Sequence, residues 1–283
     1  MKILVVGGSS VSGQCAINAI KELNQNNTVI STSSRDAEVK GADITIGEVA
    51  LEEASATDKI LNHEAVKDID YVIYIPARGM VGISARDATL AQVEESLDYC
   101  FRPFLRMVKT LQPKKGIALS GFITMQPLLE VYGAMTFTKI AMEQIAVKYP
   151  EKVQLLRIGM FHSSSVRGIA LLVQRRLMKD KSFRPELFDN WKSSGKKFSE
   201  FFYEKNYRFE EDSYKQHAAG KPFRPTEPDD IKEAFKLALQ GEKAPIINVL
   251  GSWLWKDSEM PYLPPAITDN IELIPDDLEK LLV

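Results

Sequence analysis

The sequence is poor in cysteine and shows no clustering of metal-ligating side chains. Cys15 and Cys100 are its two cysteines among 283 residues, and its three histidines, His63, His162 and His217, are scattered. Two cysteines in a chain of this length indicate neither a disulfide framework nor a structural zinc cluster. We therefore expect no metal, and a reducing compartment such as the cytoplasm.

A long apolar run and an excess of charge of one sign are also missing. The apolar stretch at residues 3–6 stops at Gly7, well short of a signal-peptide core, and no stretch approaches the ~20 apolar residues that span a bilayer. The formal net charge is −2, whereas nucleic acid or an anionic membrane calls for a dominant basic face. We expect a soluble, untargeted protein, a monomer or homodimer, that binds a small molecule and neither nucleic acid nor membrane.

The first 160 residues alternate short apolar runs with amphipathic segments. Strands are predicted at residues 3–6, Thr28–Thr32, Ile44–Ile46, 70–75, 116–119 and Val153–Ile158, and helices at 14–23, 57–62, 90–111 and 132–148. Pro103 is expected to kink or break the helix at 90–111. Near-continuous apolar strands separated by helices predict a parallel sheet covered on both faces.

The pattern changes after about residue 162 and resumes near the end of the chain. Residues 174–225 are rich in basic and aromatic side chains, and a helix at Pro228–Leu239 and a strand at Ile246–Leu250 follow. The aromatic residues between Phe198 and Phe209 are expected to form the core of a small lobe rather than an apolar lid. The predicted fold is α/β, a doubly wound parallel sheet with a smaller C-terminal substrate lobe. Its parts are residues 1–165 completed by about 226–250, and a lobe and tail at 166–225 and 251–283.

A glycine-rich loop joins the first predicted strand to the first predicted helix. Its sequence is Gly7-Gly8-Ser9-Ser10-Val11-Ser12-Gly13. Glycines in this position let the backbone turn tightly and approach a pyrophosphate, to which the helix N-terminus presents free N–H groups. The strand–loop–helix context is the one that a dinucleotide-binding loop requires.

In these features the sequence resembles the short-chain dehydrogenase/reductase family, especially its atypical and extended branches. Gly7 and Gly13 match the outer glycines of the family's Gly-x-x-Gly-x-x-Gly pattern, and Ser10 replaces the middle one. The segments that resemble later family motifs are Gly47-Glu48-Val49, residues 71–77, Leu156-Arg157-Ile158-Gly159 and Pro228-Asp229-Asp230-Ile231. The resemblance implies a Rossmann sheet that binds NAD(P), with Gly7, Ser9, Ser10, Val11, Gly13, Glu48, Val49, Pro76, Ala77 and Ile158 around the cofactor.

The residues after the second predicted strand indicate which dinucleotide is preferred. NAD-binding proteins place a carboxylate there for the ribose hydroxyls, whereas this chain has Ser33, Ser34 and Arg35. Hydroxyls and a guanidinium suit a 2′-phosphate, because arginine donates charge-assisted hydrogen bonds to phosphate oxygens. The expected cofactor is NADP(H).

Tyr132 and Lys139 are the candidate catalytic pair. Short-chain reductases separate their tyrosine and lysine by three residues, whereas six separate them here, which on a helix still leaves both on one face about 10 Å apart. The local run resembles the Tyr-x-x-Met-x-x-x-Lys of enoyl-acyl-carrier-protein reductases. Tyr132 would donate a proton, and Lys139 would hold the nicotinamide ribose and lower the tyrosine pKa. The rival alignment puts Met135 in the tyrosine's place.

Ser120, or Gly121 beside it, occupies the position of the family's substrate-binding serine.

Three functions are compatible with these residues. The leading one is an NADP(H)-dependent oxidoreductase, a reductase that transfers hydride to a carbonyl or α,β-unsaturated small molecule. The second is a non-catalytic NADP(H)-sensing regulatory protein, which the rival alignment at Met135 favours. A nucleotide-sugar epimerase or dehydratase is the third, and the missing tyrosine at position 135 and the Ser34-Arg35 pair count against it. Fold alone does not choose among them.

The cofactor assignment predicts a selective effect of Arg35→Ala. Loss of the guanidinium should weaken NADPH binding by about 1–3 kcal/mol, the range for a charge-assisted hydrogen bond, and leave NADH binding nearly unchanged. Calorimetric titration of both dinucleotides measures the two losses. An equal loss for NADPH and NADH would remove Arg35 from the phosphate site.

Overall fold

The first strand buries both of its faces, as a parallel strand covered by helices on each side must. In the computed structural model, which describes residues 1–53, 55–180 and 183–283, Ile3, Leu4, Val5 and Val6 are fully buried. Ile3 and Val5 belong to the apolar core on one face of the sheet, and Leu4 and Val6 belong to the core on the other. Successive strand side chains point to opposite faces, so this strand needs both layers of helices.

Eight strands of the described chain form one sheet, in the order β3-β2-β1-β4-β5-β6-β7-β8. The strands are β1 Lys2–Val6, β2 Thr28–Thr32, β3 Ile44–Ile46, β4 Tyr71–Tyr74, β5 Lys115–Gly121, β6 Val153–Ile158, β7 Ile246–Leu250 and β8 Trp253–Asp257. Neighbours pair in parallel except β7 and β8, which are antiparallel. The order reverses between β1 and β4, which is the switch point of a doubly wound sheet, so the predicted fold class is confirmed.

Helices cover both faces of this sheet. They are α1 Val11–Leu23, α2 Ala56–Leu61, α3 Leu90–Cys100, α4 Arg102–Leu111, α5 Gln126–Leu129, α6 Ala134–Lys148, α7 Ser164–Lys179, α8 Pro185–Ser194, α9 Phe198–Tyr214, α10 Pro228–Leu239 and α11 Pro265–Thr268. The expected break near Pro103 is confirmed, because α3 and α4 are separate helices that meet at Phe101. Pro103 lies in the first turn of α4, where its missing N–H costs no intrahelical hydrogen bond. None of the helices in the described ranges is long and apolar enough to cross a membrane.

The two helical layers have different members. Helices α1 and α10 pack together on one face, where Ile17 and Phe235 share a core with β1 and β7 residues. The other face is covered by helices α2, α3, α4 and α6, with Phe104 and Phe137 fully buried there. The layer assignment follows from the right-handed crossovers on either side of the switch point.

Helices α7, α8 and α9 build a small lobe beside the carboxyl ends of the strands. Val173, Leu177, Trp191, Phe198 and Phe202 are buried in its apolar cluster. Of the aromatic run, Phe198 and Phe202 are buried in this cluster, where Phe198 packs edge-on against Trp191 and in a tilted contact with Phe202, whereas Phe209 is exposed.

Residues 251–283, which the sequence analysis grouped with the small lobe, divide between the two parts of the molecule, because Trp253 and Trp255 pack against Phe223 and Tyr214. Trp253–Asp257 extends the sheet as its antiparallel edge strand. The tail beyond β8 packs on the face of the sheet that α4 and α6 cover, where Leu278 and Leu282 are buried with residues of these two helices. Its polar contacts reinforce this position, because Lys148 and the Tyr149 hydroxyl both donate to the Glu279 carboxylate. The tail beyond β8 therefore adds to the cover of the sheet.

Candidate functional site

A cavity of about 410 Å³ opens at the carboxyl ends of β1, β4, β5 and β6, between the sheet and the small lobe. The carboxyl edge beside the switch point is where ligands bind in sheets of this kind. Twelve of the residues expected at the site line this cavity, namely Gly7, Ser9, Ser10, Val11, Ser34, Val49, Pro76, Ala77, Ser120, Tyr132, Lys139 and Ile158. Gly13, Ser33, Arg35 and Glu48 lie outside its wall.

The glycine loop brings α1 unusually close to β1. A Cβ on Gly13 would lie 2.4 Å from the Gly7 carbonyl oxygen, and one on Gly8 would lie 2.1 Å from the Ser31 hydroxyl. Gly7 has φ +83°, a backbone conformation that favours glycine. Gly13 is therefore buried under the loop and serves the close packing of helix on strand, which explains its absence from the cavity wall.

Ser10 fits the position where the family pattern has glycine because it caps α1. Its hydroxyl donates to the Gly7 carbonyl and accepts the Gly13 N–H, each at 3.0 Å. Val11 and Ser12 follow in the first turn and line the cavity, and N–H groups of a first turn have no intrahelical partner. The loop thus offers free donors and a partial positive charge to an anion in the cavity.

Arg35 follows a residue of the cavity wall in the sequence but is not itself part of that wall. Ser34 lines the cavity beside it, and the buried Ser33 hydroxyl accepts the Arg35 N–H at 3.2 Å, which fixes the turn after β2. The Arg35 side chain is exposed, and no hydrogen bond or ion pair with another described residue engages its guanidinium. An unpaired cation at this edge is available to a phosphate.

Val49 and its neighbours form one apolar part of the cavity wall. Val49 is buried and lines the cavity together with Leu51 and Pro76. Glu48 has an exposed side chain and φ +53°, and its carbonyl accepts a hydrogen bond from Lys59. Glu48 contributes a turn beside Val49, and its side chain is not part of the cavity wall.

Tyr132 does not lie on the helix that carries Lys139, contrary to the predicted helix over 132–148. Helix α6 begins at Ala134, and Gly133 before it has φ +49°. Tyr132 instead forms an isolated bridge with Ile83. The helical-face argument for the pair is therefore wrong, yet the turn at Gly133 still places both side chains at the same cavity.

The electrostatics of the pair differ from the expectation as well. Lys139 is buried and donates to the Leu119 carbonyl at 2.7 Å, and burial lowers its pKa. Desolvation, with a smaller contribution from Cys100, raises the pKa of Tyr132 to about 12. In this arrangement Lys139 does not lower the tyrosine pKa, because desolvation dominates and the ammonium is directed at a backbone carbonyl.

Met135 packs away from the cavity. The Ser96 hydroxyl donates to its sulfur at 3.0 Å, and a Cβ on Gly79 would lie 2.8 Å from that sulfur. Met135 is buried and does not belong to the cavity wall. The position that the rival alignment equates with the family tyrosine is thus a packing position. Tyr132, in the segment just before α6, is the tyrosine that lines the cavity.

Ser120 is tied into a buried ion-pair network. Its hydroxyl donates to Glu143 at 2.6 Å, and Arg157 binds the same carboxylate through two nitrogens at 3.0 and 2.6 Å. Arg157 also donates to Asn248 and Asp257, so the network joins α6 to four neighbouring strands. The Ser120 proton is engaged by Glu143, and the oxygen that faces the cavity can act as an acceptor.

Sequence reasoning missed several residues of the cavity wall. Thr32 is the last residue of β2 and Ser163 lies in the loop after β6, and their place at the carboxyl edge was a usable signal. Glu210 is the least expected. It lies on α9 in the small lobe, is buried, and accepts the Met160 N–H at 2.5 Å. Burial raises the pKa of the Glu210 carboxyl to about 8, so it is largely protonated at neutral pH.

Comparison with solved structures supports this fold. The Pseudomonas aeruginosa RhlG/NADP active-site complex is 15% identical with a TM-score of 0.55, over 89% of this chain and 95% of that one. A short-chain dehydrogenase from Streptomyces avermitilis is 16% identical with a TM-score of 0.54, over 88% of each chain. A short chain dehydrogenase family protein from Francisella tularensis is 16% identical with a TM-score of 0.53, over 86% and 92%.

The chain therefore has the Rossmann-type fold of short-chain dehydrogenases/reductases. At this level of identity the likeness defines the fold, and the chemistry has to be argued from the site. No protein-family model and no curated protein matches the sequence.

The packing of the loop predicts that Gly13→Val abolishes dinucleotide binding. A valine Cβ would collide with the Gly7 carbonyl and the Gly8 backbone, so α1 would be displaced from β1. Gly168→Val is the matched control, because nothing lies within 4 Å of a Cβ there. Circular dichroism reports folding and calorimetry reports NADPH binding. A Gly13→Val protein that folds and binds NADPH normally would show that the loop is not a dinucleotide site.

Proposed function

We propose that the protein is an NADP(H)-dependent reductase that transfers hydride to a carbonyl or α,β-unsaturated small molecule. The observation that carries the proposal is the continuity of one cavity, which runs from the helix-capped glycine loop to Tyr132 and Lys139. A phosphate-binding loop and a candidate proton donor share one space, as hydride transfer followed by protonation requires.

The residues of the cavity wall are suited to a dinucleotide. Gly7 lies in the cavity wall, where a Cβ would come within 3.4 Å of Ile75 and Pro76, and Val11 and Ser12 of the first turn of α1 line the same cavity. Val49 supplies an apolar wall suited to an adenine, and the unpaired Arg35 guanidinium is at hand for a 2′-phosphate. This last feature supports NADP(H) over NAD(H).

NADPH in this cavity would supply the hydride. The residues of this chain would then act around it. Lys139, held by the Leu119 carbonyl, keeps further N–H donors for a ribose hydroxyl. Tyr132 would donate its proton to the developing oxyanion or enolate, and Ser120 would orient the substrate through its cavity-facing oxygen.

A specific observation favours the second function, an NADP(H)-sensing protein without catalysis. No described cation lowers the pKa of Tyr132, and the Ser120 hydroxyl donates its hydrogen bond to the Glu143 carboxylate. A tyrosine with a pKa of about 12 is a weak acid, so dinucleotide binding without turnover is consistent with the same wall. Tight NADPH binding with no oxidation across a broad substrate panel would support this function.

Tyr132→Phe tests the proposed catalytic role. The variant should keep its affinity for NADPH and lose turnover by about 10²–10⁴-fold, the usual contribution of a positioned proton donor. Lys139→Ala should lower both turnover and cofactor affinity, because it removes the ribose contact. The measurement is NADPH oxidation followed by absorbance with enones, quinones and acyl thioesters.

Tyr149→Phe is the matched control for loss of a tyrosine hydroxyl. Tyr149 follows α6 and donates to Glu279, far from the cavity wall, so this variant should turn over like the wild type. Equal rates for the wild type and Tyr132→Phe on an accepted substrate would exclude Tyr132 as the acid.

A further inference from the structure

Helix α7 presents apolar side chains to solvent as well as to the core of the small lobe. Val173 and Leu177 are buried in the lobe's apolar cluster. Leu171, Leu172 and Met178 are 45%, 46% and 56% exposed. No other helix or strand of the described chain exposes more than one large apolar side chain. Three within about two turns of one helix form a cluster, whereas single exposed apolar residues are normal on any protein surface.

The exposed side of α7 is also basic. Arg167, Arg175 and Lys179 are exposed, and none of them forms an ion pair with a carboxylate of the described residues. No acidic residue occurs between Glu151 and Asp180, although the whole chain has 38 acidic and 36 basic residues. The net charge of −2, from which no membrane partner was expected, therefore averages over a locally positive surface. We call this surface the outer face of α7, and its members are Arg167, Leu171, Leu172, Arg175, Met178 and Lys179.

Contacts with a neighbouring loop hold this helix in place. A Cβ on Gly82 would lie 3.6 Å from the Leu172 Cβ, and Arg176 donates to the Gly82 carbonyl at 3.3 Å. The Arg176 guanidinium also lies 4.0 Å from the centre of the Phe183 ring. The loop that contains Gly82 exposes Met80 as well, at 44%. The outer face of α7 is thus a preformed surface, continued by an apolar side chain of this loop.

The charge of the outer face distinguishes between possible occupants. A two-fold interface uses the same patch on both partners, so a second copy of this chain would bring one basic face against another. Like charges placed opposite each other disfavour that pairing. A bilayer with anionic lipid offers phosphates to the guanidinium and ammonium groups and an apolar layer to the leucine and methionine side chains.

We propose that the outer face of α7 docks the protein peripherally on a bilayer that contains anionic lipid. Leu171, Leu172 and Met178 insert at the boundary between headgroups and acyl chains. Arg175 and Lys179 lie among the lipid phosphates, where their long stems let the charged ends stay in the polar region.

Docking in this orientation brings the membrane close to the cavity. Val166 and Ile169 of the same helix line the cavity. A helix with its side chains is about 10 Å across, so a bilayer on the outer face lies about that distance from the cavity wall. Docking is independent of the proposed reductase activity, because none of the residues of the outer face takes part in it.

Cosedimentation of the full chain with vesicles tests the docking. The probes are vesicles of pure phosphatidylcholine and vesicles with about 30% phosphatidylglycerol, whose surface is negative. The wild type should bind the anionic vesicles and not the neutral ones. Binding should weaken when NaCl is raised from about 50 mM to about 500 mM, because salt screens the headgroup charge.

Two substitutions separate the apolar and the charged contributions. Leu171→Gln should lower vesicle binding about tenfold, because one leucine no longer leaves water. Arg175→Gln should lower it about fivefold, the effect of one basic side chain at an anionic surface. Leu254→Gln on β8 and Lys40→Gln between β2 and β3 are the matched controls, since both residues are exposed away from α7. The controls should bind as the wild type does, and circular dichroism should show all four variants folded.

Three results would overturn the docking. The first is a wild type that binds no anionic vesicles. The second is binding that Arg175→Gln weakens and Leu171→Gln leaves unchanged, which reflects adsorption by charge without insertion. The third is a dimer in sedimentation velocity that Leu171→Gln dissociates, in a protein that does not bind vesicles, which would assign the face to a second copy. Vesicle binding with the expected variant effects supports the docking whether or not any substrate oxidises NADPH.

Discussion

The close contact between the first helix and the first strand determines where the cavity lies. Gly13 packs on the Gly7 carbonyl with no room for a Cβ, and this contact aims the N-terminus of α1 along the carboxyl edge of the sheet. Ser10 then caps the helix, and Val11 and Ser12 of its first turn line the cavity. A larger side chain at Gly13 would move the helix and with it every donor that the loop presents.

A second constraint holds the opposite wall of the cavity. Glu143 and Arg157 form a buried ion pair between α6 and β6, and Ser120 and Asn248 satisfy its remaining hydrogen-bonding capacity. Removal of one partner from such a pair costs about 3–5 kcal/mol, because it leaves a charge buried without compensation. The pair fixes the ends of β5 and β6, and so the distance between the glycine loop and the residues that approach a substrate.

Sequence patterns predicted the parts of the molecule that depend on local periodicity. The apolar strands and the helix at Pro228–Leu239 needed no tertiary information. Tyr132 was placed on a helix because the residues after it are helical, but the turn at Gly133 moves the start of that helix to Ala134. Strand β8 escaped notice because it is a half-exposed edge strand. Glu210 carried no signal at all, since its burial and its contact with Met160 arise when α9 docks on the sheet.

A crystal structure of the protein with NADPH tests the central claim most directly, through the distance between the Tyr132 hydroxyl oxygen and nicotinamide C4. The account predicts the pyrophosphate on the first turn of α1, the 2′-phosphate beside Arg35, and a separation from Tyr132 that leaves room for one small substrate. A dinucleotide bound away from the glycine loop, or a Tyr132 hydroxyl turned from C4 into the protein, would contradict it.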